Sequence, residues 1–234
     1  MSSEPMTGER PGTPDRGTRP SGLIRWPWWT LSVAAAACLL FAFGPPPAAL
    51  AYQPASPTLA RLVGCHLAHW SAAHLLWDVL TFCALGVLSE RADRGRFVAF
   101  LATGALTIGP LACRMQPELT HYAGLSGLVL GQLAMLLTQR VREARMPRSE
   151  GGRRIQVSAF PWALLLGLLL LKQLYELHAG ATTVLSLALL TGGLEGFVTV
   201  PAAHLLSVLI GTFIGALPAS QGAASPPERS CAAR

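Results

Sequence analysis

Tyr122-Ala123-Gly124-Leu125-Ser126-Gly127-Leu128-Val129-Leu130-Gly131 sets a serine where an apolar run begins that lasts to about residue 139. A second apolar run starts at Pro201-Ala202-Ala203-His204 near the C-terminus. Polar side chains at membrane depth carry a desolvation cost, so an ionisable group there is a functional candidate by default. A serine becomes a nucleophile when a base can take its proton and donors await the oxyanion. The two runs together point to peptide-bond chemistry inside a bilayer.

The composition agrees. Of 234 residues, 51% are hydrophobic and 13% charged, against about 25% charged in soluble domains. The net charge of +6 is not a nucleic-acid signal, because the arginines lie in short stretches between apolar runs. Five cysteines, an odd number, do not form a disulfide framework. Cys38, Cys83 and Cys113 fall within apolar runs and read as small packing residues. Residues 1–25, rich in Pro, Gly, Ser, Thr and Arg, read as a disordered tail, and residues 219–234 as a flexible one. The domain between them is 26–218.

A span needs about 20 mostly apolar residues. Six candidates emerge, roughly 30–50, 70–89, 97–113, 124–139, 159–178 and 201–217. Together they predict an all-α, polytopic six-helix bundle. Trp26-Pro27-Trp28-Trp29 reads as an interfacial anchor of a retained first helix, although Ala49-Leu50-Ala51 has the small-x-small form of a signal cleavage site. The apolar stretch 181–191 is too short to span and reads as re-entrant or interfacial.

Arginine placement sets the orientation. With the N-terminus in the cytoplasm, that side holds Arg10, Arg16, Arg19 and Arg25, then Arg91, Arg94 and Arg96. It also holds Arg140, Arg142, Arg145, Arg148, Arg153 and Arg154, then Arg229 and Arg234. The outer side keeps only Arg61 and Arg114, in accord with the positive-inside rule. His74, Ser126 and His204 then all fall near the outer ends of their spans. Gly127 with Gly131, and Gly211 with Gly215, form small-xxx-small faces that let helix backbones approach closely in lipid.

These residues resemble the rhomboid family of intramembrane serine proteases. Gly124-Leu125-Ser126-Gly127 on the fourth span is similar to the family's nucleophile motif, and Ala203-His204 on the sixth to its general base. His69-Trp70-Ser71-Ala72-Ala73-His74 with Asp78 follows its H-x4-H-x3-N pattern, with Asp in place of the usual Asn. Arg61 and Glu90 extend the match, while His204-Leu205-Leu206-Ser207 departs from the usual His-x-x-Gly. Several stretches, among them Trp77-Asp78 and Gly196-Phe197-Val198-Thr199-Val200-Pro201, resemble the rhombosortase branch. That resemblance implies a bacterial inner-membrane enzyme with both termini cytoplasmic and its site opening to the periplasm. Its implied clients are single-span proteins ending in Gly-Gly, a transmembrane segment and an Arg-rich tail.

In this reading Ser126 attacks and His204 is the base, with no third acid evident beside it. The N-terminus of the fourth helix and His74 supply donors, and Gly124 and Gly127 shape the turn. Asp78, one turn from His74, either assists as a neutral acid, orients His74, or is a structural partner; the spacing leaves all three open. His66, His69 and His74 lack a matched Cys or carboxylate set and do not read as a metal site, and no cofactor is expected. Lys172 and Glu176, four apart, read as a mutually neutralising pair. Glu90 with Arg91 reads as an anchor of the cytoplasmic loop.

Overall fold

The computed structural model describes residues 26–146, 148–150, 153–155, 158–179 and 200–218. The two tails, the 181–191 stretch and residues 196–199 of the motif before His204 lie outside them. The described chain is helical: α1 Trp28–Phe43, α2 Pro47–Leu50, α3 Leu59–Gly64, α4 Ala72–Ala92, α5 Arg94–Met115, α6 Ser126–Arg145, α7 Phe160–Ala179 and α8 Pro201–Ala216. A two-stranded ribbon, β1 Arg148–Glu150 antiparallel to β2 Arg153–Ile155, and the short helix α3 add to the expected spans.

Three of these helices, α4, α5 and α7, are long and apolar enough to cross a membrane, and α1 and α8 are shorter apolar helices. The α6 helix has comparable length but ends in Arg140, Arg142, Glu143 and Arg145. The first expected span is shortened. Gly44 and the prolines Pro45, Pro46 and Pro47 stop α1 at Phe43, because proline removes a backbone donor and disfavours helix in the residue before it. The remainder of 30–50 becomes the single turn α2.

Local chemistry sets the other starts. Ser71 accepts from His74 N and caps α4; Thr58 accepts from Arg61 N and caps α3; Asp93 accepts from Arg96 N and caps α5. The outward sides stay apolar and uncovered, as at Leu164, Leu165, Leu168 and Leu171 of α7, the pattern of a helix facing lipid. Cys38 also lies exposed on α1 rather than packed inside, whereas Cys113 is buried.

The core centres on α6 and α8, which share the most extensive helix–helix contact. Their seam is lined by glycine. A Cβ on Gly131 would lie 2.4 Å from both Phe100 Cζ and Ser207 Oγ, and one on Gly215 would lie 2.7 Å from the Met135 carbonyl oxygen. Ser207 donates to the Gly127 carbonyl across the same seam.

The two ends of the bundle differ in chemistry. At one end Arg94 donates to the Trp26 carbonyl at 2.8 Å and Arg96 to the Leu217 carbonyl at 2.8 Å, while Arg142 also reaches Leu217 and donates to the Gly215 carbonyl at 3.2 Å. Glu90, expected with Arg91 to anchor the cytoplasmic loop, is buried there. It accepts from Thr30 N and Thr30 Oγ1, both at 3.0 Å, and from Trp29 N at 3.3 Å, and pairs with Arg94 Nε at 3.2 Å. A carboxylate at the α1 N-terminus satisfies orphan N–H groups and complements the helix dipole. The opposite end gathers the starts of α4, α6 and α8 and the end of α5.

Candidate active site

Ser126 is the first residue of α6. The turn before it is fixed by its neighbours: Gly124 N donates to the Cys65 carbonyl at 2.8 Å, and Tyr52 and Tyr122 exchange backbone bonds of 2.9 and 3.0 Å. Gly124 has φ +120°, a region where a side chain is strained. A Cβ there would also lie 3.0 Å from His74 Cε1 and Nε2. Two independent constraints therefore demand glycine at this position. At Gly127 a Cβ would lie 2.7 Å from the Tyr122 hydroxyl.

His204 sits in the first turn of α8, which Pro201 opens at a position where a missing N–H is harmless. Gln116, just past α5, accepts from Ala202 N at 3.2 Å and so ties the start of α8 to the end of α5. His204 is buried, and its Nε2 lies 3.1 Å from Ser126 Oγ. Its Nδ1 has no hydrogen-bond partner among the described residues. With the proton on Nδ1, the Nε2 lone pair faces the serine hydroxyl, the arrangement in which an imidazole can take that proton.

His74 and Asp78 stand on the same face of α4, with His74 Nε2 3.1 Å from Asp78 Oδ2. His69, from the loop before α4, brings its own Nε2 to 3.1 Å from that same oxygen. The sequence places Asp78 one turn from His74 but shows no matched Cys or carboxylate set for a metal among His66, His69 and His74. The structure gathers His69, His74 and Asp78 so that one ligand atom from each lies within 4.8 Å of the others, a set that could hold a metal ion. His66 is absent from that group and packs edge-on against Tyr122, ring centroids 5.5 Å apart.

Arg61 lies at the same end. Its guanidinium donates to Gln53 Oε1 and the Ser56 carbonyl, both at 3.1 Å, to the Ala49 carbonyl at 3.3 Å, and to the Ser56 hydroxyl, so it fastens the 49–56 segment. On α7, Lys172 Nζ donates to the buried Glu176 at 2.8 Å. Gln116, Tyr52 and the second partner of Asp78 went unnoticed in the sequence reading. His69 did stand in the quoted H-x4-H pattern, and Gln116 is the last polar group before the turn following α5.

Apolar helices long enough to cross a membrane and packed through glycine mark an integral membrane protein, in which Ser126 and His204 face each other near one end. Residues 56–221 match the Rhomboid domain. The chain belongs to the rhomboid family, whose members are intramembrane serine proteases. No curated protein matches it.

Proposed function

We propose that the protein is an intramembrane serine endopeptidase in which Ser126 is the nucleophile and His204 the general base. The observation that carries this reading is the 3.1 Å approach of His204 Nε2 to Ser126 Oγ between two helices that glycine allows to touch. Ser126 Oγ attacks the scissile carbonyl carbon as His204 Nε2 takes the hydroxyl proton. The tetrahedral oxyanion forms beside the first N–H groups of α6, which have no intrahelical acceptor, and His74 adds a side-chain donor. Collapse breaks the C–N bond, and His204 returns its proton to the leaving amine. Water then attacks the acyl-enzyme, with His204 again accepting a proton, and the carboxylate product and free serine are released.

The arginine-bearing end of the bundle is the cytoplasmic end in this reading, with N- and C-termini on that side and six spans in all. The site then opens to the periplasmic face of a bacterial inner membrane. The rhombosortase resemblance, including Asp78 and the residues leading into His204, favours clients with a C-terminal Gly-Gly, a transmembrane segment and an Arg-rich tail.

Two alternatives make distinct predictions. A rhomboid protease with other substrates would cleave generic single-span proteins and spare such a client. A non-catalytic member would bind helices without cutting. In liposomes holding purified enzyme and a tagged single-span client, Ser126→Ala and His204→Ala should each abolish cleavage while insertion is unchanged. Wild-type cleavage by either variant rejects the dyad.

A further inference from the structure

Asp78 poses a difficulty for the proposed chemistry, because a bare carboxylate near a developing oxyanion opposes it electrostatically. The hydrogen bonds around His69 supply the answer. His69 is 1% exposed and Asp78 7%, so solvent does little to satisfy either. His69 Nδ1 lies 3.1 Å from the carbonyl oxygen of Leu67. A carbonyl oxygen only accepts, so Nδ1 must carry hydrogen. The other ring nitrogen, Nε2, lies 3.1 Å from Asp78 Oδ2.

A neutral imidazole with its hydrogen on Nδ1 beside an ionised Asp78 would set a lone pair against a carboxylate oxygen in a buried site. Two arrangements avoid that. Either His69 is doubly protonated and Asp78 ionised, or His69 is neutral and Asp78 carries the proton. Both hold one proton between the two side chains, and both leave the pair without net charge.

We propose that His69 and Asp78 form a proton-sharing, net-neutral pair that positions His74. Asp78 Oδ2 also lies 3.1 Å from His74 Nε2, and the two imidazoles meet edge to face, 4.9 Å between centroids at 76°. The His74 ring in turn covers Gly124, two residues before Ser126. His69 is thus a positioning residue, and its proton lets an Asp stand where the family usually has Asn. The consequence for catalysis rests on the protease reading of Ser126 and His204; the proton count does not.

The test uses the full chain in detergent micelles. Its first arm is nitrogen NMR of ¹⁵N-histidine-labelled protein, with His69→Phe identifying the His69 signals. A protonated Nδ1 on His69 is expected, together with a second proton found either on His69 Nε2 or, in ¹³C-aspartate-labelled protein, on the Asp78 carboxyl. An unprotonated Nδ1, a protonated Nδ1 with no proton on either Nε2 or the Asp78 carboxyl, or zinc bound stoichiometrically by the three side chains in metal analysis, overturns the proposal. The second arm follows labelling of Ser126 by a fluorophosphonate at about pH 8. His69→Phe should slow labelling about tenfold or more by removing the partner that shares the proton of Asp78, and adding Asp78→Asn should restore most of the rate. Loss without rescue, or no loss, overturns the proposal. Wild-type protein that fails to label at all rejects the protease reading instead, and the NMR arm still decides the proton count.

Discussion

A Cβ built on Gly211 would lie 2.0 Å from the carbonyl oxygen of Gly131. No rotamer change relieves a clash with backbone, so one methyl group at this point must push α8 away from α6. The hydrogen bond between Ser126 and His204 spans the same pair of helices. Gly211→Ala should therefore lower thermal stability in detergent and remove most fluorophosphonate labelling of Ser126. Gly167, on α7, has nothing within 4 Å of its Cβ position. Gly167→Ala should be neutral or stabilising by up to about 1 kcal/mol, since alanine is the better helix former. Equal behaviour of the two variants would show that the seam does not depend on close backbone approach.

Gln116 gives a subtler lever. Its side-chain oxygen is an acceptor for Ala202 N in the first turn of α8, two residues before His204. Gln116→Leu should cost about 1 kcal/mol, the usual net value of one hydrogen bond, and should slow Ser126 labelling by loosening the start of the helix that holds the base. Gln116→Glu keeps an acceptor and should retain more of both. Circular dichroism melts in micelles, run beside the labelling rates, separate the two effects. If Leu and Glu variants match wild type in rate, this tie does not position His204.

Glu90 tests the other end of the bundle. Its buried carboxylate serves Thr30, Trp29 and Arg94 at once, and α1 and α4 are so close here that a Cβ on Gly86 would lie 2.6 Å from Thr30 Cγ2. Glu90→Ala should destabilise by about 2–3 kcal/mol, because hydrogen bonds to a charged group are the costly ones to break. Glu90→Gln should cost less. Ser126 labelling below the unfolding temperature should persist in both, since the site lies at the far end of α4. Selective loss of labelling in a still-folded Glu90→Gln protein would mean that the α1–α4 contact governs the site.

The helices were legible because an apolar run of sufficient length has few alternatives in lipid, and the runs at 70–89, 97–113 and 159–178 correspond to α4, α5 and α7 within a few residues. The end of the first helix was misjudged where hydropathy continued through prolines that the backbone could not accommodate. The short helix Leu59–Gly64 carries no comparable run and was missed. Motif order singled out Ser126, His204, His74 and Asp78. The link from His69 to Asp78 was not legible, because it joins a loop to a helix nine residues on and depends on which ring nitrogen faces a carbonyl. The bonds from Glu90 to α1 were not legible, because they join residues 60 positions apart, whereas its pairing with Arg94 follows from helical spacing.

The choice of client follows from what the site demands of a helix. Ser126 and His204 lie near one end of the bundle, so a transmembrane segment reaching them must present a carbonyl that is no longer hydrogen-bonded within its own helix. Glycine lowers the cost of leaving helical geometry by about 1 kcal/mol per residue relative to alanine, so a Gly-Gly pair just outside an apolar span is a favoured place to cut. An Arg-rich tail would hold the other end of the client at the cytoplasmic surface, the side where Arg94, Arg96 and Arg142 lie in the proposed topology. Co-expression with a tagged client of this design, followed by mass spectrometry of the released protein, should find a new C-terminus at or within a few residues of the Gly-Gly pair. Replacing both glycines with leucine should reduce release about tenfold or more, because the segment then stays helical. Release that is indifferent to the glycines, or cleavage of generic single-span substrates with this client left intact, rejects the sorting role while leaving the serine protease assignment in place.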